Sequence, residues 1–155
     1  MKTYFMLIIT CLIFVSCTTT KVSVLEIEEL KSVDLPNGFQ KGTDKNGVAV
    51  VINDITNLNV IATFPPNKGS GTVVVPINKK YKMFETGIAS LKGDVVFFIN
   101  GDEKRLFRSK KINPNNSPTN IFINIENVDT LELGIEPFGY APGDNPIWIN
   151  PTLIK

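Results

Sequence analysis

The 155-residue chain contains no histidine. That absence excludes a Ser-His-Asp triad, a Cys-His dyad and a His-ligated zinc site, since each needs an imidazole to move a proton or donate a nitrogen lone pair. Cysteine is nearly as scarce, with only Cys11 and Cys17 present. Cys11 lies inside an apolar N-terminal run, so removal of that run leaves Cys17 alone and no intrachain disulfide can form. An excess of either charge is missing too. Taking away residues 1–16 removes Lys2 and leaves fifteen basic and fifteen acidic side chains. No excess positive field remains for nucleic acid or an anionic membrane surface, and no nucleic-acid partner is expected. The local exception, Lys104, Arg105, Arg108, Lys110 and Lys111, is spread over a hairpin and its exit and reads as a solvated face. What chemistry is left belongs to carboxylates: Asp94, Asp102, Glu103, Asp129, Glu132, Glu136 and Asp144. None of them is singled out as an acid/base pair, so no enzyme, no metal site and no cofactor is expected.

The first residues address the chain. Lys2 precedes the apolar run Phe5 to Val15, which is too short to span a bilayer, and Phe14-Val15-Ser16-Cys17 follows. This ending resembles a bacterial lipobox, with Phe14 where Leu is usual. The resemblance implies acylation of Cys17 and cleavage before it, giving a signal peptide over 1–16 and a lipidated Cys17 with a polar tether over 17–34, where Thr18-Thr19-Thr20 begins the tether. The expected location is the bacterial cell envelope, anchored in the outer membrane and facing the periplasm or the surface. An ordinary secretory signal, with Cys17 incidental, is the competing reading.

Beyond the tether, residues 35–155 are enough for one domain of ordinary size. Val24 to Leu30 fits neither the strand nor the helix period, and both readings stay open there. Val48–Ile52, Leu58–Phe64, Thr72–Ile77, Met83–Ala89, Val95–Asn100, Arg105–Arg108, Asn120–Ile125, Thr130–Ile135 and Trp148–Ile154 are short, rich in Val, Ile and Phe, and punctuated by Gly, Pro, Asn and Asp. They read as strands. A period of two puts Leu131, Leu133 and Ile135 on one face opposite Glu132, and groups Ile121, Ile123 and Ile125. Val95 to Ile99 is apolar on both faces, as in a central strand, and Asn100-Gly101-Asp102 suits a tight hairpin leading to Leu106-Phe107. Many short strands without a long amphipathic helix predict an all-β fold, a β-sandwich.

The candidate binding residues cluster near the C-terminus. Trp148, the single Trp, lies close to Phe138 and Tyr140 in a loop punctuated by Gly and Pro, with Asp144 and Asn145 between them. A flat apolar ring beside short hydrogen-bonding groups is the equipment a sugar face requires. Each residue also has a plainer role: core packing for Trp148, turn chemistry for Asp144 and Asn145, loop packing for Phe138 and Tyr140. A structural calcium at Asp144 and Asn145 is the further alternative.

The order of motifs is similar to that of the NPCBM domain, which overlaps carbohydrate-binding module family 51. Met83-Phe84-Glu85-Thr86-Gly87-Ile88, Val96 to Asp102 with Leu106-Phe107-Arg108-Ser109, Thr130-Leu131-Glu132-Leu133, and Asp144 to Pro151 with Trp148 carry the resemblance. It implies a galactose-binding-like β-sandwich of jelly-roll type that binds glycans, often galactose-containing, without catalysis. Where many members read Asp-His-Ala-Asp-Trp, this chain reads Asp144-Asn145-Pro146-Ile147-Trp148, and Phe64 stands where another His is frequent. Two readings follow: a lipid-anchored glycan-binding domain at the cell envelope, or an envelope protein-interaction module built on the same sandwich with a degenerate sugar site.

Overall fold

Alternation of apolar and polar residues carries most of the described residues into strands. The computed structural model describes residues 19–26, 39–44, 47–52, 55–57, 59–63, 71–139 and 143–155. In chain order the strands are β1 (Lys21–Ser23), β2 (Phe39–Lys41), β3 (Val50–Ile52), β4 (Ile55–Asn57), β5 (Val60–Thr63), β6 (Gly71–Pro76), β7 (Met83–Ser90), β8 (Val95–Gly101), β9 (Lys104–Arg108), β10 (Thr119–Asn124), β11 (Thr130–Pro137) and β12 (Pro146–Ile154). A single 3-10 turn, Val24–Glu26, is the helical element among the described residues. Cys17, the signal segment and Tyr140 lie outside them.

Two antiparallel sheets form the sandwich. The larger runs β10-β7-β12-β5-β2, with β1 pairing the far half of β12; the smaller runs β6-β11-β8-β9. β12 can serve two partners along one edge because it bulges between Ile149 and Thr152. At the bulge Asn150 takes φ 48°, a left-handed conformation that Asn tolerates, and its N–H donates to the Asn59 carbonyl at 2.7 Å. The hydroxyl of Thr86 reaches the Ile149 carbonyl at 3.1 Å, so this irregular stretch keeps its acceptor satisfied.

The inner faces meet in one core. Phe84, Ile88, Trp148 and Leu153 from the larger sheet pack on Val73, Phe97, Ile99, Leu131, Leu133 and Ile135 from the smaller. Leu131, Leu133 and Ile135 are all fully buried, as their spacing predicts, and Ile121 and Ile125 share the core with the partly buried Ile123. A second, smaller cluster lies on the outside of the larger sheet. There the β3–β4 ribbon lays Val50 and Ile52 over Val60, Ala62, Ala89, Ile147 and Ile149. Along 146–149, β12 is therefore covered on both faces.

Two expectations are corrected. The segment read as polar tether, 17–34, contributes β1, which pairs Lys21–Ser23 with Thr152–Ile154, and Val24 is fully buried in the core. Three residues are too short for a period of two to register in the sequence. The tight hairpin after β8 turns on Asp102 and Glu103, at φ 47° and 68°, the pair of positive φ values that a two-residue loop matching strand twist demands. Gly101 stays in the strand, where a Cβ would lie 2.7 Å from Cδ1 of Leu106.

Candidate functional site

At one end of the sandwich three sets of described residues meet: Asp44 with 47–48, the β7–β8 loop over 91–94, and Asp144 with Asn145 just before β12. Backbone bonds stitch the last two together, Leu91 N–H to the Asn145 carbonyl at 2.9 Å and Asn145 N–H to the Lys92 carbonyl at 2.8 Å. The Ser90 hydroxyl lies 2.9 Å and 2.8 Å from the carbonyls of Lys92 and Gly93, which tightens the turn. The first segment is closed on itself by Asp44, whose N–H donates to Val48 O at 2.7 Å and whose Oδ1 accepts from Val48 N–H at 2.8 Å. Asn145 Nδ2 then reaches Asp44 Oδ2 at 3.4 Å and links the segments.

This geometry reassigns several candidate residues. Trp148 is fully buried and meets Phe97 edge to face, so its ring presents no face to a sugar. The sugar platform expected at Trp148 is replaced by a core role, because residue 148 points inward while Ile147 and Ile149 point outward. Asp144 and Asn145 are 8% and 5% exposed. They brace the loops from within; Asn145 Oδ1 is enclosed with no donor beside it among the described residues. Gly93, at φ +80°, makes room for Asp144, since a Cβ there would run into the Asp144 carboxylate. Asp144 and Asn145 are thus brought together with the loop end, Trp148 is turned away from it into the core, and Tyr140 falls outside the described residues.

Phe138 is the member of the expected set that faces solvent, at 59% exposure. Its N–H donates to the Asp94 carbonyl at 2.9 Å, and Lys111 Nζ lies 5.2 Å from its ring centroid. Lys111 in turn pairs with Asp94 Oδ2 at 2.8 Å. The mutual backbone bonds of Val95 and Ile112 hold these two residues side by side. An exposed ring flanked by a carboxylate and an ammonium can stack on the apolar face of a sugar and hydrogen-bond its hydroxyls. Sequence reasoning passed over Asp94 and Lys111, one among scattered carboxylates and the other within a basic run. The available signal was their position immediately before Val95 and Ile112, two apolar residues able to pair.

The remaining charges are structural. Arg105 and Arg108 pair with Glu136, at 3.6 Å and 2.7 Å, and the Arg105 guanidinium lies 4.1 Å from the Phe98 ring centroid. At the opposite end, backbone N–H donors of Thr130 and Asp129 hold the Asp102 carboxyl below the usual carboxylate range, and hydrogen bonding to Asp129 raises the Lys79 ammonium. Among the described residues no group of three or more carboxylates or thiols gathers as a metal centre, and no helix is long and apolar enough to cross a membrane.

The fold recurs in solved structures. The chain superposes on a structure of the M60 catalytic domain with the CBM51-1 and CBM51-2 domains from Clostridium perfringens ZmpB, with TM-score 0.72 and 13% identity over 88% of this chain and 15% of that one. The CBM51 from Clostridium perfringens GH95, in complex with methyl-galactose, gives TM-score 0.69 and 19% identity over 86% of this chain and 99% of that one. Tandem CBM51 modules of Sp3GH98, the family 98 glycoside hydrolase from Streptococcus pneumoniae SP3-BS71, give TM-score 0.69 and 15% identity over 89% and 48%. This chain thus spans from 15% to about half of the multi-module chains and nearly all of the isolated module. No curated protein sequence matches it. At these identities the superpositions establish the fold alone, a β-sandwich shared with the CBM51 modules. The NPCBM/NEW2 domain profile matches residues 66–154, more than half of the chain and the part that supplies the whole smaller sheet with β7, β10 and β12 of the larger, and the chain belongs to the NPCBM/NEW2 domain family.

Proposed function

We propose that the chain is a non-catalytic glycan-binding domain, held at the bacterial cell envelope by a lipid on Cys17. The observation that carries this reading is membership of the NPCBM/NEW2 family on a fold shared with CBM51 modules. One such module has been seen with methyl-galactose and another with GlcNAc, which makes galactosides and N-acetylhexosamines the first ligands to test. Phe138, Asp94 and Lys111 supply a ring, an acceptor and a donor at the loop end. The inward-turned Asp144 and Asn145 fix the loop from which Phe138 projects.

The test is a titration of the isotope-labelled full chain, in a sugar-free detergent, with methyl β-galactoside and with N-acetylglucosamine, followed by amide resonances. Expected are fast-exchange shifts at Asp94, Lys111 and Phe138 with Kd of about 10 µM to 1 mM, lost in Phe138→Ala. Absence of shifts anywhere at millimolar sugar would overturn the glycan reading. The burial of Trp148, Asp144 and Asn145 favours the second reading, an envelope protein-interaction module with a degenerate sugar site, and that outcome would select it.

A further inference from the structure

Among the described residues, the β3–β4 ribbon shields the outer face of the larger sheet over β5 and the start of β12, with Ile52 at the margin of that cover. Beyond it, over β7 and β10, lies an open groove of about 560 Å³ bordered by Glu85, Gly87, Asn120, Phe122, Ile149 and Asn150. That volume falls within the roughly 300–1,000 Å³ of small-molecule sites.

Register arranges these residues in rows. Asn120 pairs with Gly87, which pairs with Ile149; in the next row Phe122 pairs with Glu85, which pairs with Thr152. Gly87, lacking a side chain, forms the floor, and a Cβ there would come 3.2 Å from Cβ of Ile149. Phe122 stands beside the floor at 66% exposure, the most exposed large apolar side chain described in the chain. From β10 to β12 the groove crosses two strand spacings, about 9–10 Å, the width of a pyranose with its hydroxyls.

We infer that this groove is a second saccharide site, distinct from the loop end and selective for uncharged pyranosides. The Phe122 ring offers a stacking face, and Asn120 and Asn150 each offer a donor and an acceptor suited to vicinal hydroxyls. Charge argues for a neutral ligand. Lys21 Nζ holds Glu85 Oε1 at 2.5 Å, so the carboxylate in the groove carries its own counter-ion and leaves no net field to attract an acid or a base. The bulge interrupts the ladder at Asn150, which is exposed and lines the groove.

The inference rests on the chain binding glycans, but on a different face from the loop end, and the same titration separates the two. The full chain in a sugar-free detergent is titrated with methyl β-galactoside, N-acetylglucosamine and lactose, with Gly87, Asn120, Phe122 and Asn150 watched alongside Asp94, Lys111 and Phe138. Groove resonances should shift, and Phe122→Ala should weaken that binding about tenfold while the loop-end shifts persist. Asn120→Ala, also at an exposed position, should weaken it too, and unchanged spectra elsewhere would show that both variants fold. Shifts confined to the loop end would overturn the groove site and keep the proposed function. Shifts confined to the groove would uphold the groove site and glycan binding, and would remove Phe138, Asp94 and Lys111 from the binding residues. Concentration-dependent shifts of the Phe122 row without sugar would show that face pairing with a second copy, and would also overturn the inference.

Discussion

The indole of Trp148 meets the ring of Phe97 edge to face, with centroids 5.0 Å apart and planes at 89°. This contact joins the two sheets at the centre of the core, and such pairs add about 0.5–1.5 kcal/mol beyond the area they bury. Trp148→Ala should therefore cost about 3–5 kcal/mol of stability, measured by denaturant unfolding. Trp148→Phe should cost clearly less, because the buried indole N–H has no acceptor among the described residues and Phe keeps a ring there without an unsatisfied donor. Equal losses would show that the indole nitrogen is satisfied.

Gly93 and Asp144 form the second critical pair. At φ +80° an L side chain is strained, and a Cβ would collide with the Asp144 carboxylate. Gly93→Ala should lose more than about 1 kcal/mol and should shift the amide resonances of Asp144 and Asn145 before those of the distant turn at Asp102. A variant as stable as the parent, with the loop end unmoved, would show that the turn accommodates a methyl group.

Leu133 and Glu132 test the strand faces. Leu133 is fully buried between the sheets, while Glu132 lies on the outer face and accepts a hydrogen bond from Asn100 Nδ2. Leu133→Ala should cost about 2–5 kcal/mol and Glu132→Ala about 0.5 kcal/mol or less, read from the same unfolding curves. Comparable costs would mean that the outer-face polar network matters as much as the core.

The sequence was most legible where one face of a strand is polar. Alternation in β11 assigned Leu131, Leu133 and Ile135 to the core, and each strand expected between 48 and 154 forms, with ends moved by one or two residues. β1, β2 and β4 escaped because three residues set no period. Trp148 was harder for a physical reason. Its neighbours Ile147 and Ile149 are apolar as well, since the β3–β4 ribbon covers the outside of β12, and alternation cannot choose between two buried faces. Phe122 was legible in principle, because the grouping of Ile121, Ile123 and Ile125 leaves it on the opposite face. Its partners across the groove depend on the order of β10, β7 and β12, which the strand pattern alone does not reveal.

The turn at Asp102 carries a pH dependence whose sign follows from its donors. The carboxylate accepts from Thr130 N–H at 2.8 Å and from Asp129 N–H at 3.1 Å, which depresses its folded pKa; Lys79 adds to this and partial desolvation opposes it. In the unfolded chain the group takes up a proton near about 3.9. Its contribution is thus fully present above that value and is lost as pH falls through the depressed folded value. Asp102→Asn keeps a residue tolerant of the left-handed conformation and removes the charge. The melting temperature of the variant should lie below that of the parent near neutral pH, and the gap should close as the pH is lowered below about 4. A gap independent of pH would assign the effect to the turn conformation instead of the carboxylate.

Attachment to the envelope is tested at Cys17. A chain cut before Cys17, as proposed, carries equal numbers of acidic and basic side chains, so electrostatic adhesion to an anionic bilayer supplies little binding. A thioether-linked diacylglyceryl group with a further acyl chain provides more than one apolar anchor, the condition for stable membrane residence. The parent should therefore fractionate with membranes and be released by detergent. Cys17→Ser should appear in the soluble envelope fraction, with thermal unfolding unchanged because β1 begins only at Lys21. Membrane association that survives this substitution would remove the lipid from the proposed function and point to a protein or glycan tether in its place.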